Sequence, residues 1–224
     1  NQYQAFKNFR TEFQKQTELW NIRVQGLAEI QKEIAVAAGI PEYPIENPIV
    51  YNTALDAITP EDEIRLIVIG DNPGKEEQLD KNRKYLVGLA GKIGEKFFRD
   101  NPGLGVDFRK NAIILNKVPV HSAKTAMLYK IAKANPEFAD LIQESQVWMA
   151  EATARLHNAL CKEANLHDLY VPQLWLVGYG ELKPKGIFAA YTTPANAPFI
   201  SSDFKSCAHG IISRILTPVN FAER

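Results

Sequence analysis

Three side chains stand where short apolar runs stop: Asp71, Asn72 and Asn116. The first two fall inside Gly70-Asp71-Asn72-Pro73-Gly74, directly after the run Leu66-Ile67-Val68-Ile69. Asn116 closes Ala112-Ile113-Ile114-Leu115 and precedes Lys117-Val118-Pro119-Val120-His121. A carboxylate or carboxamide at such a point can orient an attacking water and face a developing positive charge. A carboxamide also presents a donor and an acceptor side by side, which suits it to reading a ligand edge with the complementary pair. Each residue has a plainer reading as well: Asx hydrogen bonds that stabilise a turn for Asp71 and Asn72, and a cap on the next turn for Asn116.

The elements around them set the geometry. Both apolar runs are short and rich in β-branched residues, as in buried parallel strands. Gly and Pro in 70–74 force a sharp turn at the first strand's carboxyl end. A helical pattern follows, with Leu86, Leu89, Ile93 and Phe97 on one face. Leu174-Trp175-Leu176-Val177-Gly178 is a third strand, and helical periods cover 123–134, 136–164 and 203–216. Residues 179–191 read as a turn plus helix, and 192–202 as irregular chain. Strands alternating with helices predict a three-layer α/β/α domain with a central parallel sheet, the ligand crevice lying beyond the strands' carboxyl ends.

Ahead of this core (61–224) lies an amino-terminal extension (1–60). Phe6, Phe9, Phe13, Trp20, Val24, Leu27, Ile30 and Ile34 recur at helical spacing, and Gly39 and Pro41 end the pattern. One long amphipathic helix packed on the domain is expected; the alternative for its aromatic stripe is a homodimer contact. Residues 41–60 contain four prolines and the apolar Ile45, Ile49, Val50 and Leu55, which predicts an extended wrap along the core. All of this makes one domain.

Composition bounds the partners. The 224 residues include 26 Lys plus Arg and 26 Asp plus Glu, so any nucleic-acid surface must be a local patch and not a product of net charge. Cys161 and Cys207 are far apart, and no His, Cys, Asp and Glu set has metal-ligand spacing; neither a metal nor another cofactor is expected. No apolar run is long enough to span a bilayer and no signal peptide is visible, so the expectation is a reduced, cytoplasmic protein without a membrane partner, nucleoid-associated if it acts on DNA.

Gly70-Asp71-Asn72-Pro73-Gly74 resembles the first motif of the uracil-DNA glycosylase superfamily, which reads G-Q-D-P-Y in the founding branch, G-I-N-P-G in the mismatch-specific branch and G-E-A-P-G in the iron–sulfur branch. Val87-Gly88-Leu89-Ala90-Gly91 is similar to the V-G-x-A-G of the iron–sulfur branch, although two cysteines cannot supply that branch's four ligands. Residues 114–121 resemble the founding branch's base-reading L-L-N-x-V-L-T-V. Gly178-Tyr179-Gly180 with Lys183 and Lys185-Gly186 is similar to W-G-x-x-A-x-x-K-G. Residues 195–201 stand loosely for the third motif, H-P-S-P-L-S or N-P-S-G-L-S.

The resemblance, covering about 64–216, implies a DNA glycosylase that flips a damaged base and hydrolyses its N-glycosidic bond. Asn72 matches the water-positioning Asn of the mismatch branch, and Asp71 the acidic residue of the iron–sulfur branch. Asn116 would pair with the O4 and N3–H edge of uracil. Tyr85 or Leu86 falls where an aromatic residue sandwiches the base, and Asn196 stands for the Asn of the third motif. Phe199 or Ile200 would be the apolar wedge, and Gly74, His121, Lys183 and Lys185 would meet DNA. His209 falls off the inward stripe of the last helix and is expected in solvent, as are His157 and His167. Two rival expectations stand beside this one: a catalytically drifted member of the fold that binds nucleic acid or nucleotides, and a small-molecule enzyme acting on free nucleosides.

Overall fold

A computed structural model describes residues 1–182 and 186–189. Its framework is a three-stranded parallel sheet, β1 (Leu66–Gly70), β2 (Ala112–Asn116) and β3 (Gln173–Leu176), in the order β2-β1-β3. Every residue of β1 and β2 is buried, which is why both read as unbroken apolar runs and not as an alternation. The register pairs Leu66 with Ala112 and Gln173, and Gly70 with Asn116. The α/β class with a parallel sheet is therefore as the pattern predicts.

The amino-terminal helix is not continuous. It divides into α1 (Gln2–Arg23) and α2 (Leu27–Ala37), because Val24 is extended and Gly26 takes φ 74°, a left-handed conformation that glycine adopts without a Cβ penalty. Phe6, Phe9, Phe13 and Trp20 of α1 are almost wholly buried, and α1 packs on α5 (Pro136–His167). Trp148 of α5 meets the rings of Phe9, Phe13 and Trp20 at 5.7–6.5 Å. The aromatic stripe is consumed inside the chain, so the argument that it forms a dimer contact lapses.

Residues 41–60 do wrap the core. The Val50 N–H donates to the Pro119 carbonyl at 2.9 Å, Ile49 bridges Val120 antiparallel, and Ile49, Val50 and Leu55 are buried. A 3-10 turn at Thr53–Ala57 interrupts the extended chain.

The helix after the first motif begins later than its period suggests. α3 spans Leu89–Asp100, and Leu89 is 75% exposed. Leu86 lies before the helix at φ 53°, in the turn that feeds it. A Cβ on Gly91 would collide with the Leu86 carbonyl, so this close turn requires glycine there. Helix α4 (Met127–Ala134) then packs on α5. Among the described residues no helix is long and apolar enough to cross a membrane.

Candidate functional site

The three strand ends meet at one rim. The parallel ladder runs one step past the strands: Lys117 N–H donates to Gly70 O at 2.9 Å, Val118 N–H to Asp71 O at 3.3 Å, and Val177 N–H to Ile69 O at 2.9 Å. Asp71, Asn116, Lys117 and Gly178 are thereby fixed by backbone, before any side-chain chemistry. Successive residues of a strand point to opposite faces, so Asn116 and Lys117 serve different sides of the rim.

Asn116 faces Gly70. A Cβ on Gly70 would lie 2.6 Å from Asn116 Oδ1 and 3.7 Å from Leu86 Cδ2. Gly70 is therefore needed as space for the Asn116 carboxamide, with the Leu86 side chain as neighbour. Asn116 is only 2% exposed, yet its Nδ2 has no hydrogen-bond partner among the described residues. A buried donor left unpaired costs about 1–3 kcal/mol, and such groups are rare in folded chains.

The other side of the rim is ion-paired. Lys117 is wholly buried; its ammonium donates to Asp71 Oδ1 and to the Val177 carbonyl and sits 5.1 Å from the centre of the Phe188 ring. Two of its three ammonium hydrogens are thus given to oxygen acceptors, and the charge faces an aromatic ring. Burial pushes the Lys117 ammonium below the usual lysine range, opposed by the negative charge of Asp71 and, more weakly, of Glu181. The Asp71 side chain is 27% exposed, and its Oδ2 lies 3.4 Å from the Thr125 hydroxyl. Gly178, at φ 76°, is a glycine for two reasons: the backbone is left-handed, and a Cβ would strike the Asp71 carboxylate.

Asn72 is a loop fastener. Its Nδ2 donates to Pro73 O at 3.1 Å and to Ser122 O and Oγ at 3.2 and 3.0 Å, while its Oδ1 accepts from Thr125 Oγ at 3.0 Å. The Thr125 hydroxyl thus bridges Asp71 and Asn72. The plainer Asx-type reading describes Asn72, whereas the Nδ2 of Asn116 fastens nothing among the described residues.

Four sequence expectations need correction. Tyr85 cannot stack on a ligand. It is fully buried, its hydroxyl donates to Val50 O at 2.5 Å, and its backbone N–H reaches Asn52 Oδ1 at 3.3 Å; burial raises its phenol well above the usual range. Tyr85 anchors the wrap, and Leu86 is the residue of the pair beside Asn116.

His121 does not face a phosphate either. Its Nδ1 pairs with Pro73 O at 2.9 Å and its Nε2 with the Tyr43 hydroxyl at 2.9 Å. A carbonyl only accepts, so Nδ1 carries the proton and Nε2 accepts from tyrosine. Burial pushes this imidazole down to about 4, so it is neutral at pH 7. Nor is the Gly74 N–H available to a DNA phosphate: it already donates to Glu77 Oε2 at 3.1 Å.

Fourth, His157 is not a surface residue. It is 4% exposed, with Nε2 donating to Pro172 O at 2.9 Å and lying 3.4 Å from the Cys161 sulfur. His167 is exposed, as predicted, beside Glu163. Asn196, Phe199, Ile200, Lys183, Lys185 and His209 lie outside the described residues.

Lys117, Thr125 and Glu77 escaped the sequence reading. Glu77 is buried; desolvation raises its carboxyl, against the pull of the Gly74, Leu86 and Val87 amides. Lys117 had a legible signal, a charge set between Asn116 and an apolar Val-Pro-Val. Among the described residues no group of three or more His, Cys, Asp or Glu could hold a metal ion. No family model matches the chain, and neither the curated proteins nor the solved structures compared with it give a match.

Proposed function

We propose that this chain is a DNA glycosylase of the uracil-DNA glycosylase kind, hydrolysing the N-glycosidic bond of uracil or a related damaged base flipped out of DNA. The observation that carries the reading is Asn116: a buried carboxamide with an unpartnered donor, at the strand rim, in space that Gly70 leaves open. An extruded uracil supplies what that amide lacks. Its O4 accepts from Nδ2 and its N3–H donates to Oδ1, with the aliphatic Leu86 packing where an aromatic ring is usual in the superfamily.

Asp71 is the better of the two first-motif candidates. Asn72 has committed both amide hydrogens to the loop, whereas the Asp71 carboxylate keeps an oxygen bound only at 3.4 Å to Thr125. Its contribution is electrostatic: the carboxylate faces the positive charge growing on the sugar and holds the water that adds to C1′. The glycosidic bond breaks with its electron pair leaving on the base, and the water's proton is released.

Base release from uracil, hypoxanthine and mismatch oligonucleotides tests this, with Asn116→Ala and Asp71→Asn as controls. Release by the wild type that both variants abolish supports it. No release above the variants on any substrate overturns it.

One set of observations favours a second reading, a nucleic-acid or nucleotide binder whose site has drifted. Asn72 is tied into its loop, Tyr85 is in the core, and the charge is balanced. Salt-dependent binding of abasic or single-stranded DNA without turnover selects it.

A further inference from the structure

The buried lysine is the part of the rim that neither the sequence motif nor the base-reading amide explains. Lys117 is wholly inside, and the carboxylate it meets is 27% exposed. Removing a charge from water is costly, and breaking an ion pair by replacing one member with an apolar side chain is destabilising where the charge left behind stays buried. Methionine suits this place: it is unbranched like lysine, and its terminal methyl would point towards the Phe188 ring that the ammonium now faces. The partners it would leave behind are not stranded. Asp71 can turn to solvent, and Val177, whose carbonyl the ammonium holds, is 45% exposed. The fold therefore has little use for a charge here.

What the charge does is local. It takes Asp71 Oδ1, Gly178 closes on the carboxylate from β3, and Thr125 stands at Oδ2. With Oδ1 pinned, the carboxylate has one rotational setting, and Oδ2 is the oxygen left for a ligand. Nucleophilic use of Lys117 is disfavoured by the same contacts, because the ammonium is held by a carboxylate and a carbonyl and the side chain is unexposed.

We propose that Lys117 is a positioning residue, which aims Asp71 across the strand ends at the reacting sugar and contributes little to holding the fold together. The inference rests on the glycosylase reading for its reaction, but its geometry can be tested without it.

The experiment compares wild type, Lys117→Met, Asp71→Asn, the double variant and Gly178→Ala. It reads melting temperature, single-turnover base release at saturating uracil oligonucleotide, and the half-saturating concentration. Lys117→Met should melt with or above the wild type. Its rate should fall about thirtyfold or more at a nearly unchanged half-saturating concentration, the mark of an interaction made only in the transition state. In the Asp71→Asn background the lysine substitution should cost no more than about a further threefold, because one residue acts through the other. Gly178→Ala, which displaces the carboxylate with Lys117 intact, should also lose rate.

The proposal is overturned if Lys117→Met fails to fold, if it keeps its rate within about threefold, or if the two losses multiply in the double variant. Borohydride trapping of Lys117 on an abasic oligonucleotide also overturns it, since that would make the lysine a nucleophile. If the wild type releases no base from any substrate, the glycosylase reading fails, and a crystal structure of Lys117→Met decides the positioning claim. Asp71 turned away from Thr125 supports it, and Asp71 unmoved overturns it.

Discussion

Asn116 and Lys117 are neighbours in sequence and opposites in state. The amide is neutral, buried and short of a partner among the described residues; the ammonium is charged, buried and held by a carboxylate and a carbonyl beside an aromatic ring. One side of the rim carries an unmet donor, and the other an ion pair already formed. A binding group has to stay unsatisfied until its ligand arrives, whereas a positioning group has to be satisfied beforehand, so that it does not move when the ligand arrives. Residues one apart on a strand can do these two jobs because the pleat sends them to different faces.

Substitutions on the open side give the largest effect. Asn116→Ala should lower single-turnover base release by about 100- to 1,000-fold, roughly 3–4 kcal/mol of transition-state stabilisation, as is usual for a lost preorganised donor. A loss under tenfold would remove Asn116 from the base-reading role.

The frame behind the ion-paired side carries the next effect, and it is one of pH. His121 titrates near 4 when folded and near 6.5 when unfolded. As pH falls through this window the unfolded chain takes up the proton first, so stability is fully present above pH 6.5 and is lost towards pH 4. The loss amounts to about 3 kcal/mol for such a separation. Burial also depresses His157, which adds slope of the same sign. Urea unfolding at pH 7, 5.5 and 4.5 should show the decline. His121→Gln, which keeps one donor and one acceptor, should flatten it, and an unchanged slope would contradict the buried neutral assignment.

Gly70→Ala attacks the open side through its spacing. Its Cβ would press on Asn116 Oδ1 at 2.6 Å inside a buried strand, which should cost about 1–3 kcal/mol of stability and reduce base release together. Full activity with wild-type stability would mean that the amide has room to spare.

The smallest effect is the most diagnostic. Asn116→Leu removes an unpaired buried donor, so it should gain about 1 kcal/mol of stability while abolishing activity. A clear loss of stability in denaturant titration would show that the amide is a structural fastener after all.

How much of this the sequence discloses follows from the kind of force involved. The strands are legible because fully buried parallel strands are continuous apolar runs, and the ends of such runs mark the rim. Asp71 and Asn116 were found that way. The division of the first helix at Gly26 was not, because the apolar period continues through the break and only the glycine's left-handed backbone marks it. Tyr85 and His121 were misplaced for a related reason: both are held by the wrap at 41–52, through Val50 O and Tyr43, and contacts between distant segments leave no trace in local spacing. Lys117 was passed over because a lysine beside a turn ordinarily reads as solvated. Only its neighbours, Asp71 and Val177 just past β1 and β3 and the ring of Phe188, show otherwise.

The account stands on the unpaired amide of Asn116, and its side-chain NH2 resonance is the most direct probe. It can be followed by NMR in Asp71→Asn protein, where turnover is blocked, and assigned by its loss in the additional Asn116→Ala variant. Titration with a uracil oligonucleotide should move this resonance saturably, and the same oligonucleotide with an abasic site in place of uracil should leave it unmoved. A resonance indifferent to both, or displaced equally by both, would contradict the claim that this amide reads the base.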